Sequence, residues 1–329
     1  MIAILQRRDI FSILALAILL FITRIAVFPG LHTLPAIQVT PFYQWISGYL
    51  SFPDVFNFLI VNILLIAHAV LINLLCATHG IIQNKTWLPG VLYLLLAGIF
   101  PWQYAFQPHL LTTFLLLLAI YKISNFYEAE LQIEKKLMDI GFIFCLFPLV
   151  SVEGWYFLVF ILLSISFFIF YDINKIFLLL LSIVVPIILF ASFTIVFSNF
   201  SILNQFLVPP IKNLDIPHLM DNRIVFGPLS YPAILGGLGV MMMQTRIGSI
   251  PSKVRKIYYT FFALIVLEIL ILVIRKNNFN SNATLFAMPL SIFVAYFFNH
   301  LKMKWLGEVL FAVFIILILF TQLVLSKFA

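Results

Sequence analysis

Long apolar runs, separated by short polar or proline-marked breaks, follow one another along the chain. They extend for roughly 17 to 25 residues, the length that an α-helix needs to cross the hydrocarbon core of a bilayer. The runs lack the strict alternation of apolar and polar residues that a transmembrane β-strand requires. We therefore predict an all-α, polytopic transmembrane helical bundle of about 11 spans.

The predicted spans form a single integral membrane domain over residues 1–329, with an N-terminal core over 1–200 and C-terminal helices over 201–329. In chain order they are Ile10–Phe28, Asp54–Thr78, Trp87–Phe106, His109–Ser124, Leu137–Val152, Trp155–Tyr171, Ile176–Phe197, Tyr231–Gln244, Ile257–Ile274, Ala283–Phe298 and Trp305–Leu325.

Composition agrees with this pattern and excludes a soluble globular protein. The chain is 64% hydrophobic and 9% charged, with a mean hydropathy of +1.14, whereas soluble domains are about 45–50% apolar and about 25% charged. The net charge of +7 is spread over short loops beside the spans, which membrane topology explains better than nucleic-acid binding. A cytoplasmic N-terminus puts most of the 19 lysines and arginines on the cytoplasmic side, as the positive-inside rule requires.

Two predicted outer loops, Pro29–Pro53 and Ser198–Ser230, are longer than a tight connection needs. In the first, Thr40 can cap a short helix that has Pro41 in its first turn. We expect this helix to lie in the membrane interface through the aromatic and aliphatic face of Phe42, Trp45, Ile46 and Tyr49. The second loop predicts another interfacial turn of helix, followed by a segment that five prolines hold in extended or turned conformations: Pro209, Pro210, Pro217, Pro228 and Pro232.

Charged residues inside the spans are the first functional candidates. Arg24 lies about one turn inside the outer end of the first span, and Glu268 interrupts an apolar run at a similar depth. Because an intramembrane charge is costly unless it is paired, we predict an ion pair between them. The alternative is a protonated Glu268 that bonds to a neighbouring carbonyl.

The second span is unusually polar, with Asn57, Asn62, His68 and Asn73. Asn62 and Asn73 share a helix face, which favours interhelical hydrogen bonds, whereas His68 points about 120° away. In a later span, Ala233 and Gly237 form a small-xxx-small pair that predicts close helix contact.

The predicted outer surface holds a second group of candidates. Cations beside a bilayer can bind a lipid-linked phosphate, and carboxylates such as Glu153 and Asp221 can accept a proton from an attacking hydroxyl. The candidate phosphate ligands are His109, His218, Arg223, Arg275 and Lys276, although for any one of them an ordinary solvated loop end is the favoured interpretation. The chain has no P-loop, dinucleotide fingerprint, HExxH or CxxC motif, so we predict no soluble cofactor and no metal.

Three local features carry a resemblance to a known family. They are the entry Lys85-Thr86-Trp87-Leu88-Pro89, the hairpin Leu94 to Leu118 with Phe100-Pro101 at its tip, and the start Asp139-Ile140-Gly141-Phe142. With these features the segment from Thr86 to Tyr171 resembles a family of multi-spanning inner-membrane proteins of Bacteroidota that carry a domain of unknown function. The resemblance implies a bacterial inner-membrane location.

More remotely, the plan of the chain is similar to the membrane half of the GT-C glycosyltransferases. That resemblance implies a GT-C-like core over 1–200, a polyprenyl-phosphate lipid donor and an acidic residue in the first outer loop. This chain departs from the pattern, because the loop after Phe28 has no Asp or Glu before Asp54, and Arg24 stands where acidic character is expected. Either Asp54 or Glu153 replaces the missing carboxylate, with Arg24 as a further phosphate ligand, or the scaffold has lost transfer activity.

Three functions are open on the sequence alone. The first is a GT-C-like, or degenerate, glycosyltransferase or another protein that handles a polyprenyl lipid at the outer leaflet. The second is a non-catalytic scaffold or subunit of a cell-envelope complex, with membrane lipids and other envelope membrane proteins as partners. The third is a secondary transporter, which predicts broken helices with polar groups meeting at the bilayer midplane.

Overall fold

The computed structural model describes residues 40, 42–43, 48, 54–82, 86–99, 106–125, 133–151, 154–168, 173–197, 223–274 and 285–328. These residues form ten α-helices and no strand, which confirms the all-α prediction. The helices are α1 (Asp54–Thr78), α2 (Leu88–Gly98), α3 (Pro108–Ser124), α4 (Ile133–Val150), α5 (Gly154–Phe168), α6 (Ile173–Phe197), α7 (Arg223–Thr245), α8 (Ser252–Ile274), α9 (Ala287–His300) and α10 (Lys304–Phe328).

Each predicted span after the first coincides with one of these helices, while Ile10–Phe28 lies outside the described residues. The largest shifts, eight residues each, are at the end of α2, which stops at Gly98, and at the start of α7, which begins at Arg223. Because α7 includes Pro228 and Pro232, the prediction of an extended or turned chain at these two prolines is wrong. A membrane helix tolerates an interior proline because neighbouring groups bond the carbonyl that the proline leaves without a donor.

Three of the described helices contain stretches long and apolar enough to cross a membrane: Phe56–Thr78, Asn174–Ser192 and Lys304–Thr321. The prediction of about 11 spans is therefore not confirmed. At 1.5 Å per residue, α2 is about 16 Å long and α9 about 21 Å, less than the roughly 30 Å of a hydrocarbon core.

The surface of α6 shows which solvent the chain requires. Large apolar side chains are exposed along this helix, with Phe177 and Leu189 each 65% exposed, and only 17% of the Asn174–Ser192 stretch is buried. Exposing such a continuous apolar surface to water would cost about 25 cal/mol per Å². Hydrocarbon removes that cost, so the chain is a membrane protein.

The chain divides into two compact units. The first comprises Met1–Ala36, Pro53–Leu110 and Ile216–Ala329, and the second comprises Ile37–Phe52 and Leu111–Asp215. In the first unit, α2 and α9 pack against each other; α1 and α10 also contact α2, and α7 and α8 contact α9. All of α2 is buried, as is α9 from Ala287 to Phe298. Two short helices thus form the core of this unit.

Glycines bring α7 against α9. A Cβ added at Gly239 would lie 2.1 Å from the carbonyl oxygen of Phe293, and one at Gly236 would lie 2.3 Å from Leu290 Cδ1. Among the described residues, a Cβ at Gly237 would meet nothing within 4 Å. The close approach predicted here is observed, but it depends on Gly236 and Gly239 and the prediction of Gly237 is wrong.

In the second unit, α4 packs against both α5 and α6. The cap predicted at Thr40 is also observed, since its Oγ1 accepts a hydrogen bond from the backbone N–H of Tyr43 at 3.2 Å. The Thr40 hydroxyl in turn donates to the carbonyl of Leu149 at 2.5 Å, with the carbonyl of Val150 at 3.2 Å, and the Phe42 ring meets Phe190 edge-on at 5.5 Å. The described start of this short helix therefore packs against protein, at α4 and α6.

We expect Gly239→Ala to lower the stability of the protein because the new methyl group would collide with the backbone of α9. The cost should be about 1–3 kcal/mol, as for other overpacked contacts. Gly237→Ala is the matched control: it lies on the same helix in open space, and its higher helix propensity should leave stability unchanged or raise it by up to about 1 kcal/mol. Thermal unfolding in detergent measures both, and equal midpoints would contradict this account of the contact.

Candidate functional site

The first turn of α2 begins away from water, so its backbone N–H groups need partners within the protein. Thr86 Oγ1 accepts from Leu88 N at 2.8 Å, Pro89 has no N–H, and Asn73 Oδ1 on α1 accepts from Gly90 N at 2.9 Å. A Cβ at Gly90 would lie 2.3 Å from Asn73 Nδ2, so only glycine permits this approach. The interhelical hydrogen bond predicted for Asn73 is confirmed.

The same antiparallel register of α1 and α2 brings His68 to Tyr93. His68 Nδ1 and the Tyr93 hydroxyl lie 2.9 Å apart, and the two rings meet edge-on with centroids at 5.7 Å. Both side chains are fully buried. Asn62, one helix face away, donates to the carbonyl of Phe58 within α1 at 2.8 Å.

His109, the second residue of α3, lies next to this pair. The His68 ring lies close to the backbone of Leu110 and is within electrostatic reach of His109, which is itself only 5% exposed. His68 sits about 21 Å from one end of α1 and about 15 Å from the other. The sequence predicts His109 on an outer surface, whereas its side chain is buried inside the protein. We call His68, Tyr93 and His109 the interior polar cluster.

Gln107 borders the cluster. Its backbone oxygen accepts from Leu110 N at 3.1 Å, and its side chain is buried. Among the described residues, the side-chain oxygen of Gln107 has no hydrogen-bond partner. Because a buried acceptor without a donor costs about 1–3 kcal/mol, this oxygen is a point where a bound donor would be favourable.

The interior polar cluster can move a proton but is poorly suited to hold a charge. A neutral imidazole donates from one ring nitrogen and accepts at the other, and a phenol does both. A charged imidazole in an apolar interior is costly, so the resting cluster is neutral. Within the described part of the chain, no three His, Cys, Asp or Glu side chains come together in a way that could hold a metal ion.

Glu268, on α8, is a second buried titratable group. It is 2% exposed, and neither carboxyl oxygen has a hydrogen-bond partner among the described residues. The carbonyl partner considered above is therefore not seen in this part of the chain. Arg24 lies outside the described residues, so the ion pair between Arg24 and Glu268 stays a prediction.

The remaining candidates are placed only in part. Asp54 is the first residue of α1, and Arg223 is the first residue of α7. Outside the described residues lie Glu153, His218, Asp221, Arg275 and Lys276.

The sequence pattern did not single out Tyr93, which completes the cluster. The usable signal was a single tyrosine in the aliphatic stretch of α2, because the hydroxyl of a buried tyrosine normally finds a partner. Choosing His68 as that partner required the register of α2 on α1, which follows from Asn73 and Gly90.

Comparison with known proteins adds no assignment: no protein-family model, curated protein or solved structure matches the chain.

Tyr93→Phe should destabilise the first unit by about 1–3 kcal/mol, because it removes the hydroxyl that bonds a buried ring nitrogen of His68. Tyr259→Phe is the control, since that tyrosine is 37% exposed on α8 and its hydroxyl should matter little. Adding His68→Leu to Tyr93→Phe should cost less than the sum of the single changes by at least about 0.5 kcal/mol, because the two side chains share one bond. Strict additivity in detergent unfolding measurements would show that the pair is not coupled.

Proposed function

We propose that the chain is a multi-pass protein of the bacterial inner membrane, with about 11 helical spans and a cytoplasmic N-terminus, that handles a lipid-linked substrate. Helix directions support the alternating topology. Gly236 and Gly239 on α7 approach Leu290 and Phe293 on α9 in the same order, so these helices run parallel. If successive spans cross the membrane in alternating directions, α7 and α9 must run parallel, because one span, α8, lies between them.

The observation that carries the functional proposal is the meeting of His68, Tyr93 and His109 inside the first unit. Ionisable side chains within a membrane protein are expensive and usually serve a function. Transfer from a lipid-linked donor needs a group that accepts a proton from the attacking hydroxyl, and neutral histidine is the side chain that does this most often. In this proposal His109 is the base. Tyr93 holds the ring of His68, and His68 in turn positions His109.

The finer proposal is a GT-C-like glycosyltransferase, active or degenerate, with a polyprenyl-phosphate donor. Asp54, Glu153 and Asp221 are its candidate carboxylates. Arg24, His218, Arg223, Arg275 and Lys276 are its candidate phosphate ligands.

The test is complementation of a deletion strain, read out by quantifying lipid-linked saccharides with mass spectrometry. We expect His109→Gln and His68→Gln to reduce the product at least about tenfold, because removing general-base catalysis typically costs a factor of 10² or more. Amounts of each variant in the membrane are measured in parallel.

His300→Gln is the matched control for this test. His300 also pairs with a tyrosine, since its ring stacks on Tyr296 at 4.0 Å and its Nδ1 bonds the Tyr296 carbonyl at 3.0 Å, but it is only partly buried at the end of α9. We expect full complementation from it. Unchanged lipid-linked saccharides after deletion of the whole gene would overturn the proposal.

Secondary transport is a second candidate, favoured by the contact between α2 and α9. Both helices are too short to cross a bilayer and are buried within the protein, as are the discontinuous helices that form transporter substrate sites. Each lies between longer helices, and the alternating topology gives α1–α3 and α8–α10 opposite orientations. The buried carboxyl of Glu268 would then serve as a proton-coupling group.

Proteoliposomes separate the two candidates. Transport predicts that the purified protein dissipates a pH gradient when its substrate is present, and that Glu268→Gln abolishes this flux while His300→Gln does not. The candidate substrates are lipid-free extracts that restore growth of the deletion strain. If none of these extracts produces a flux in the proteoliposomes, transport is excluded.

A further inference from the structure

A groove of about 490 Å³ lies in the second unit, between the C-terminal end of α3 and the sides of α4 and α6. Its walls are apolar, formed mainly by Met138 and Phe142 on α4 and by Leu181 and Val185 on α6. These four side chains are between 44% and 57% exposed: Met138 50%, Phe142 57%, Leu181 44% and Val185 44%. The groove is therefore open and apolar. One of its walls is α6, the helix whose exposed apolar surface requires hydrocarbon around it.

One edge of the groove carries a pair of opposite charges. Lys122 Nζ and Asp139 Oδ2 lie 3.3 Å apart, and their side chains are 47% and 49% exposed. The ammonium has three donors and the carboxylate about four acceptor positions, so their single contact leaves most of this capacity free. The edge can bind an anion and a cation side by side.

At the floor of the groove, the backbone of α6 has a carbonyl group, that of Ser182, without its usual donor in the helix. Pro186 has no N–H, so it cannot donate to the carbonyl of Ser182 four residues earlier. The Ser182 hydroxyl is already used, because it donates to the Leu179 carbonyl at 2.7 Å. Gly141 lets α4 approach here, since a Cβ at that position would collide with Ser182 Oγ. Both Ser182 and Pro186 line the groove.

We propose that this groove binds one phospholipid whose headgroup carries both a phosphate and a primary ammonium. An acyl chain lies along Phe142 and Val185, the phosphate contacts Lys122, and the ammonium contacts Asp139. Charge complementarity selects this occupant: a headgroup with only negative charge is repelled by Asp139, and a quaternary ammonium has no N–H to donate to it. The site is separate from the interior polar cluster and does not depend on the proposed function.

The test is native mass spectrometry of the full chain, purified in detergent and titrated in separate samples with phosphatidylethanolamine, phosphatidylcholine and phosphatidylglycerol of identical acyl chains. The unchanged protein should retain phosphatidylethanolamine at least about threefold better than either of the others, as expected for partly exposed charge pairs. Because this comparison uses no variant, it does not depend on whether a variant folds.

Variants then assign the contacts. Asp139→Asn should remove the preference for phosphatidylethanolamine, and Lys122→Gln should weaken all three lipids, whereas Lys122→Arg should restore binding because arginine also binds phosphate. Lys302→Gln, which removes an exposed cation on the first unit, should change nothing. Equal retention of the three lipids by the unchanged protein, stronger retention of phosphatidylglycerol, or an unaltered preference in Asp139→Asn would overturn the proposal.

Discussion

The hydrogen bond from the backbone of Gly90 to the side chain of Asn73 fixes the centre of the first unit. A helix that starts inside a protein leaves its first N–H groups without intrahelical partners, and each one is costly away from water. Asn73 satisfies one of them from the neighbouring helix, and Thr86 satisfies another. Since Gly90 has no side chain to separate the helices, the same contact sets both the register and the spacing of α1 and α2.

The interior polar cluster follows from that register. Once Gly90 lies against Asn73, Tyr93 is carried about one turn further along α2 and meets His68 about one turn back along α1. The start of α3 lies nearby, because the buried ring of His109 is within electrostatic reach of His68. The polar side chains thus gather where one helix begins within the protein, close to backbone N–H groups that need partners.

The helices could be predicted from the sequence because a long apolar run has no other way to satisfy its backbone in hydrocarbon. The positions within the protein at which each helix begins and ends could not be predicted from the sequence. Assigning one crossing to each run placed His109 at a surface, whereas its side chain is buried at the start of α3. The choice of Gly237 as the contact residue was wrong for a similar reason. The sequence alone does not show which of the three nearby glycines faces α9, and the structure places Gly236 and Gly239 there. The partners of Arg24, Glu153 and Asp221 stay predictions.

Asn73 and His68 differ in a way that bears on function. The partner of Asn73 is a backbone N–H, which only proline at that position would remove, so this asparagine is needed for structure whatever the protein does. His68 and Tyr93 bond each other through their side chains, and replacing both members of such a pair by apolar side chains of similar shape is often nearly neutral for stability. The two contacts therefore differ in what a substitution costs. Loss of Asn73 leaves the Gly90 N–H without this acceptor, whereas loss of the His68 ring is offset in part by a matched change at Tyr93.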